Sequence, residues 1–294
     1  MSEYFLPHPL PARDCATFAV ESKPVWLMKL LPVLLFFCAT SVFLACSDRQ
    51  PDHPALSRQH FLYNGPNRCD SLGRKGVTVR IDYALLGSDK SRADETLNDT
   101  LRAMIAGSVS GWLDSAAVAE NPQARTDLAL AANLFSAEYE RLTGDMNGLV
   151  GGCWELNIQA DTVFSNRRIL TTRLESYAYT GGAHPNAYVW FRSFDRAIGQ
   201  PLELTAIVKD TARLLPIVER EFRRKMKLGP RQDLENAGYF LKNGQFFLPD
   251  NIALGRAGLI CYYNPYEIAA YAYGPITIII PYSKLRDILH DNWL

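Results

Sequence analysis

The sequence predicts an α+β fold of two lobes, in which antiparallel sheets carry helices packed against them. Two observations lead to this prediction. Segments in which apolar and polar residues alternate, as in half-buried strands, are mixed with segments in which apolar residues recur every three or four positions, as in amphipathic helices. The strands of the middle third follow one another through short turns, which favours antiparallel hairpins over a regular alternation of strands and helices.

The composition is that of a globular protein with a substantial hydrophobic core. The chain has 294 residues, of which 48% are hydrophobic, and its 31 basic residues balance its 31 acidic ones. These values exclude disorder over most of the chain. A neutral chain also has no electrostatic reason to bind nucleic acid or an anionic membrane surface, so we expect no nucleic-acid partner.

The N-terminal lobe is predicted over residues 76–150. Val77, Val79, Ile81 and Tyr83 alternate with polar residues and predict a strand. A helical period begins near Ala93, with an apolar stripe that runs to Trp112. A second helix is predicted over 128–142, and Gly144 is its expected end.

The C-terminal lobe is predicted over residues 151–294. Its strands are expected at 153–164, 169–179 and 187–194, which form a meander, and then at 246–248, 259–263 and 276–280. A helix is predicted over 215–226, with Pro216 in its first turn. Ser283 is expected to cap a short C-terminal helix.

The first 45 residues are predicted to be a leader, and residues 46–75 a tether. Lys29 precedes an uncharged apolar run of 16 residues, shorter than the ~20 that a membrane-spanning helix needs. The run ends at Ala45-Cys46, which resembles the bacterial lipobox, so we expect Cys46 to carry lipid and to anchor the exported protein to the cell envelope. A true start at Met28 would give a leader of ordinary length. By the same resemblance Ser47 favours the outer membrane, with the protein periplasmic or surface-facing.

The cysteine count allows at most one disulfide in the exported chain. Two of the six cysteines lie in the leader and Cys46 is acylated, which leaves Cys69, Cys153 and Cys261. In an oxidising compartment the preferred pair is Cys69 with Cys153, because Cys261 lies in an apolar strand-like run. The alternative is three buried free thiols.

Two segments carry the residue types that bind ligands. The first, residues 177–186, places two adjacent glycines and a histidine after two tyrosines, which suits either an anion- or carbohydrate-binding loop or a tight turn. The second, residues 262–275, has five tyrosines in twelve residues and one carboxylate. It suits a stacking platform for sugars or proteins, or a loop that needs aromatic packing to hold it over a sheet.

Together the two segments resemble a bacterial extracytoplasmic family of paired domains of unknown function. The resemblance rests on Tyr-x-Tyr-Thr-Gly-Gly-Ala-His-Pro and, about 80 residues later, Tyr-Asn-Pro-Tyr-Glu-Ile-Ala-x-Tyr-Ala-x-Gly-Pro. Such domains occur in the ectodomains of RsiV-like anti-sigma factors, which bind lysozyme, and in the non-catalytic part of PdaC-like peptidoglycan deacetylases. The resemblance covers roughly residues 75–290 and implies two α+β lobes with a role at the cell wall.

The resemblance also implies a set of ligand contacts in loops of the C-terminal lobe. Carried over residue by residue, they are Thr180, Gly181, Gly182, His184, Pro185, Tyr266, Glu267, Tyr271 and Pro275. One departure is Ala270, where the family usually has proline, so this loop is expected to be less rigid than in the lysozyme-binding members.

Binding is the leading functional hypothesis, with a cell-wall glycan (a peptidoglycan fragment) or a wall-degrading enzyme such as lysozyme as the partner. It predicts that His184, Tyr266 and Tyr271 are exposed and converge. A structural envelope lipoprotein without a small ligand would instead bury these tyrosines and bond their phenol groups to the backbone. A peptidoglycan-modifying enzyme is the weaker alternative.

Catalysis finds little support in the sequence. There is no nucleophile elbow, phosphate-binding glycine loop or metal-binding histidine pair, so we expect no catalytic residues, no metal and no cofactor. For glycoside chemistry the candidate carboxylates are Glu155, Glu175 and Glu267.

Overall fold

The computed structural model describes residues 54–66, 69, 76–87, 91–145 and 152–293. Its strands are β1 (Leu56–Asn64), β2 (Gly76–Leu86), β3 (Cys153–Ser165), β4 (Ile169–Tyr179), β5 (Asn186–Asp195), β6 (Gln200–Pro201), β7 (Asn251–Leu254), β8 (Leu259–Tyr263) and β9 (Ile276–Ile280). Its α-helices are α1 (Arg92–Ser110), α2 (Ser115–Glu120), α3 (Leu128–Asp145), α4 (Leu204–Ile207) and α5 (Thr211–Lys225). Helices and mainly antiparallel sheets confirm the predicted α+β fold.

Strands β1 to β6 form one sheet in the order of the sequence. Neighbouring strands are antiparallel except β2 and β3, which run parallel with Val79 opposite Leu156. A parallel pair needs a long crossover, and α1, α2 and α3 supply it between the two strands.

Helices α1 and α3 pack on the face of this sheet that holds the apolar residues of β2, β3 and β4. The side chain of Ser91 caps α1 by accepting a hydrogen bond from the Asp94 N–H at 3.1 Å. In the core, the rings of Phe135 and Trp154 lie 5.4 Å apart. Both side chains are buried, so α3 is fixed to the sheet by aromatic packing.

Strands β7, β8 and β9 form a second, antiparallel sheet with its own core, against which α5 packs. Phe222 of α5 is fully buried at the centre of this core. Its ring lies 5.0 Å from that of Tyr239, 5.2 Å from that of Phe246 and 6.1 Å from that of Tyr263. This aromatic cluster holds the end of β8, from which the second tyrosine-rich segment begins.

A buried carboxylate ties α5 to the C-terminal segment. Glu221 is 4% exposed and accepts hydrogen bonds from Lys284 Nζ at 2.5 Å and from Arg224 Nε at 2.8 Å. The Lys284 ammonium is the main cause that lowers the pKa of Glu221, while burial acts in the opposite direction. The stabilisation is therefore complete above the pKa of an unfolded glutamate and is lost as the pH falls through the lower pKa of the folded state.

We expect Glu221→Gln to lower the free energy of unfolding by about 1–3 kcal/mol near neutral pH. Near pH 3 the difference from the parent should shrink, because a protonated Glu221 resembles the amide. Urea unfolding of both proteins at the two pH values measures this. Glu120→Gln, at an exposed glutamate, is the matched control. A difference that stays the same at both pH values would contradict the prediction.

The predicted domain boundaries need correction. Strand β1 lies inside the segment predicted as a tether, because alternate residues of Leu56–Asn64 are half-buried and pair with β2. Residue 150 does not separate two lobes, since β2 and β3 are neighbours in one sheet. The described residues belong to one compact unit that holds both cores. The leader and the lipidation residue Cys46 lie outside the described residues.

Several element predictions were wrong in detail. Helix α5 begins at Thr211, because Asp210 caps it by accepting a hydrogen bond from the Arg213 N–H, so Pro216 is in the second turn. Residues 246–248 are irregular, and the strand of that region is β7. No α-helix follows Ser283 within residues 284–293, where the chain has turns and a short 3₁₀ segment. Leu285, Ile288 and Leu289 are buried in irregular structure there.

The preferred bridge between Cys69 and Cys153 is not formed, and none of the three described cysteines is in a disulfide. Cys69 Sγ donates to the carbonyl oxygen of Gly76 at 3.0 Å and to that of Trp154 at 3.5 Å. Burial, and then the neighbouring Cys153, raise the pKa of Cys69 to about 12. The thiolate that disulfide exchange requires is therefore disfavoured.

Candidate functional site

The first predicted segment forms the turn between β4 and β5. Gly181 has φ of +86°, a conformation that glycine adopts without steric cost. His184 is exposed, and its Nδ1 lies 3.0 Å from the carbonyl oxygen of Pro185. If Nδ1 carries the proton, the ring donates this bond and Nε2 is an acceptor. The turn therefore presents an imidazole ring whose orientation is held by its own backbone.

The second predicted segment leaves β8 and forms an irregular loop up to β9. Glu267 Oε2 accepts the backbone N–H of Asn264 at 2.9 Å, and the Glu267 N–H donates to the Asn264 carbonyl at 3.1 Å. Between them, Tyr266 has φ of +67°, which is rare for a residue with a side chain. The two hydrogen bonds hold Tyr266 in this conformation and turn its ring outward, where it is 54% exposed.

Three aromatic rings from the two segments lie against one another on the surface. The ring of His184 stacks on that of Tyr271, with centroids 4.5 Å apart and planes 17° apart. The ring of Tyr266 lies 5.5 Å from Tyr271 on a tilt of 32°. Tyr271 is 37% exposed. We call His184, Tyr266 and Tyr271 the ring stack; the exposure and convergence that the binding hypothesis requires are both present.

Two asparagine side chains bring the segments together by bonding the free edge of β5. Asn264 accepts the Val189 N–H at 2.8 Å and donates to the Val189 carbonyl at 3.0 Å. Asn251, at the start of β7, donates to the same carbonyl at 2.6 Å and accepts the Phe191 N–H at 2.7 Å. These amides replace the backbone of a missing neighbouring strand, and so they fix the second sheet to the first.

A buried hydroxyl pair supports the same junction. Thr171 Oγ1 and Ser193 Oγ are 2.8 Å apart. The first donates to the Leu254 carbonyl at 2.7 Å, and the second accepts the Leu254 N–H at 2.9 Å. The position of the ring stack thus depends on polar contacts between β4, β5 and β7.

The remaining predicted contacts have varied surroundings. Around the first turn Gly181 and Gly182 are exposed, while Thr180 and Pro185 are half-buried. Pro275 is exposed at the far end of the second loop. Glu267 is half-buried, and burial raises its pKa although the backbone of Asn264 and Asp250 bonds its carboxylate. Glu267 therefore organises the loop that presents Tyr266.

The structure does not bring the candidate carboxylates of β3 and β4 together. Gln159 faces Glu175 in the β3–β4 register. Glu155 lies four residues from Gln159 along β3, and so roughly 13 Å from the position opposite Glu175. Glu175 instead pairs with Arg173 at 2.7 Å. Within the described ranges no group of three or more metal-binding side chains is found. No helix in the same ranges is long and apolar enough to cross a membrane.

A second feature, an aromatic cleft of about 480 Å³, was missed by the sequence reasoning. Its aromatic walls are Trp112, Tyr188 and Trp190, with Tyr188 5.7 Å from each of the other two rings. Trp112 was expected on the buried stripe of a helix, but α1 ends at Ser110 and the indole lies beyond its end. Tyr188 and Trp190 are two residues apart and therefore lie on the same face of β5, as residues of a core would. Only their exposure distinguishes them from core residues.

The comparison with protein families matches residues 206–283 to DUF3298, described as a protein of unknown function. The matched part includes the second segment and α5, and it excludes the first segment. Two crystal structures of DUF3298 family proteins show the same fold. One, from Bacteroides fragilis, has 22% identity and a TM-score of 0.62, and covers 82% of this chain and 96% of its own. The other, from Pseudomonas aeruginosa, has 21% identity and a TM-score of 0.58, with 83% and 98% covered.

Curated relatives come from mycobacteria. The immunogenic proteins MPB64 of Mycobacterium bovis and MPT64 of Mycobacterium tuberculosis are 24% identical to this chain over 147 residues. The similarity covers 46% of this chain and 60% of each relative. The chain thus spans about 60% of the length of the relatives it matches.

Proposed function

We propose that this chain, whose residues 206–283 match the DUF3298 family, is an envelope-anchored binding protein whose ring stack contacts a cell-wall glycan or a wall-degrading enzyme of the lysozyme type. The observation that carries the proposal is the stack itself. Rings from two loops about 80 residues apart in sequence meet on the surface and stay exposed.

The conformation of Tyr266 supports a binding role. A side chain held at positive φ costs about 1–3 kcal/mol and persists only where the surroundings impose it. The loop accepts this cost and presents an exposed ring, not a buried one. Tyrosine offers a large contact area and loses little conformational entropy on binding, which suits recognition of a protein surface or of sugar rings.

The alternative function, a structural lipoprotein without a small ligand, requires buried tyrosines in the second segment. Tyr262 and Tyr263 meet this requirement, but Tyr266 and Tyr271 do not. Tyr263 is fully buried and donates to the Phe247 carbonyl at 2.7 Å. Tyr262 is also buried. Tyr266 and Tyr271, in contrast, contact the solvent, so the packing of the loop does not explain them.

The proposed location rests on the leader. Lys29, the apolar run and Ala45-Cys46 favour export and lipid attachment. Two or three acyl chains on Cys46 would hold the protein at a membrane surface. The ligand would then be encountered outside the cytoplasm, where cell-wall glycan and lysozyme occur.

Calorimetric titration of the purified full chain with a c-type lysozyme and with soluble muropeptides tests the proposal. We expect saturable binding to one of them, weakened about 10–100-fold by Tyr271→Ala and by His184→Ala, because exposed aromatic anchors dominate binding energies. Leu62→Ala, at an exposed residue of β1, is the control and should bind like the parent.

Two results would overturn the proposal. One is the absence of heat with both ligands on a sample that unfolds cooperatively. The other is binding that Tyr271→Ala and His184→Ala leave unchanged, which would place the contact elsewhere on the molecule.

A further inference from the structure

The aromatic cleft exposes residues of β5 whose neighbours on β4 are buried. In the β4–β5 register Trp190 lies opposite Leu174 and Tyr188 opposite Ser176, and both residues of β4 are buried. Trp190 is nevertheless 41% exposed and Tyr188 37%. They share the helix-covered face of the sheet, but α1 ends at Ser110 and leaves the β5 end of that face open. Two large rings are therefore exposed where the neighbouring strand is covered.

The end of α1 widens the cleft with small residues. Gly107, Ser108 and Gly111 line this wall. A Cβ at Gly107 would meet only the Arg125 carbonyl oxygen at 3.8 Å, an ordinary contact, so packing does not require glycine there. Glycine within a helix costs about 1 kcal/mol relative to alanine. Glycine at position 107 therefore keeps this wall of the cleft free of a side chain and lowers the stability of α1.

Trp112 forms a rigid third wall. Its Nε1–H donates to Ser176 Oγ at 3.2 Å, which fixes the indole against β4. The indole ring is tilted by 50° from that of Tyr188. Trp112 consequently offers a flat apolar face whose orientation is already set before a ligand arrives, which reduces the entropy lost on binding.

The rim of the cleft carries one charge of each sign. Arg192 and Asp250 line it, and Arg192 also pairs with the exposed Glu203 at 3.4 Å. The amide of Asn251 is already used by the edge of β5. The rim can therefore both donate and accept hydrogen bonds, and it has no excess charge that would select an anion or a cation.

We propose that the aromatic cleft binds a neutral saccharide, with the faces of one or two sugar rings against Trp190 and Tyr188 and the hydroxyl groups at Arg192, Ser108 and Asp250. A sugar ring has an apolar face of C–H groups and a polar edge of hydroxyls, which matches flat aromatic walls with a mixed polar rim. The volume of about 480 Å³ lies within the range of small-ligand sites, roughly 300–1,000 Å³. This inference is independent of the ring stack, with which the cleft shares no residue.

Titration of the full chain with tri-N-acetylchitotriose, a neutral oligosaccharide, tests the inference. Tryptophan fluorescence and calorimetry follow the binding, since two of the five tryptophans, Trp112 and Trp190, line the cleft. We expect a saturable fluorescence change in the parent. Trp190→Ala should weaken the affinity about tenfold or more. Trp190→Leu, which keeps apolar area but removes the flat ring, should weaken it similarly.

Tyr271→Ala separates the two proposals. If the cleft binds the saccharide, Tyr271→Ala retains the saturable chitotriose binding that Trp190→Ala loses, whatever it does to lysozyme or muropeptide binding. If Tyr271→Ala loses chitotriose binding and Trp190→Ala keeps it, the cleft inference is overturned and the sugar is assigned to the ring stack.

Two further outcomes would overturn the inference. One is the absence of binding by a parent sample that melts cooperatively. The other is the binding of decanoate in place of chitotriose, which would identify the cleft as a site for an acyl chain. The melting temperature of each variant shows that it is folded, and both Trp190 substitutions are at a partly exposed position that should tolerate them.

Discussion

Phe222→Ala is expected to lower the free energy of unfolding by about 3–5 kcal/mol, the usual cost of removing a buried aromatic ring. The ring is fully buried in α5 and lies within about 6 Å of the rings of Tyr239, Phe246 and Tyr263. These neighbours come from separate parts of the chain, so they cannot close the cavity without moving β8 and the irregular segment before β7.

Urea unfolding measures this loss, and Phe240→Ala is its matched control. Phe240 is 45% exposed, so the same substitution there should change the free energy of unfolding by about 0.5 kcal/mol or less. A loss below about 1.5 kcal/mol for Phe222→Ala would mean that the core around α5 collapses around the missing ring.

Asn251→Ala should cost about 2–3 kcal/mol and displace the ring stack. Asn251 is buried, and its removal leaves the Phe191 N–H without its partner at the edge of β5. An unsatisfied buried donor costs about 1–3 kcal/mol. The Val189 carbonyl retains Asn264 as a donor, so this variant should still fold.

A double-mutant cycle measures the coupling between Asn251 and Asn264. Asn251 and Asn264 both donate to the Val189 carbonyl, so each single variant leaves that oxygen with one partner and the double variant removes both. The double variant should therefore lose about 1 kcal/mol more than the sum of the single losses. Asn133→Ala, at an exposed asparagine of α3, serves as the control and should be close to neutral. Strict additivity would show that the two amides act separately.

The sequence predicted the regular elements best where a single period dominates. Strands β3, β4 and β5 alternate over ten or more residues, and each was located to within a residue or two. Strand β1 was missed because its residues are only half-buried on one side, and pairing with β2 stabilises it more than its own pattern does. The start of α5 was missed because Asp210 caps the helix one turn before the apolar stripe becomes clear.

The candidate site was predictable in its residues but not in its geometry. His184 and Tyr271 were named from their segments, yet the contact between their rings depends on Asn251 and Asn264 bonding an edge strand across the fold. No local pattern marks such contacts. Glu267 was named as a ligand contact, and the role of its carboxylate in bonding the loop backbone was not foreseen. Trp190 was missed because an alternating aromatic residue on a strand is typical of a core, and only the length of α1 decides that it is exposed.

The parallel pairing of β2 and β3 has a consequence for biosynthesis. Gly76 is opposite Cys153, so this contact closes a loop of roughly 80 residues and raises the contact order, which slows folding. A ribosome that adds ~5–20 residues per second needs about 4–15 s to supply the missing strand. During that interval the backbone edge of β2 that will bond β3, flanked by the apolar side chains of Val77, Val79 and Ile81, is a template for pairing with other nascent chains. Aggregation of this protein on overproduction is therefore expected to begin at β2.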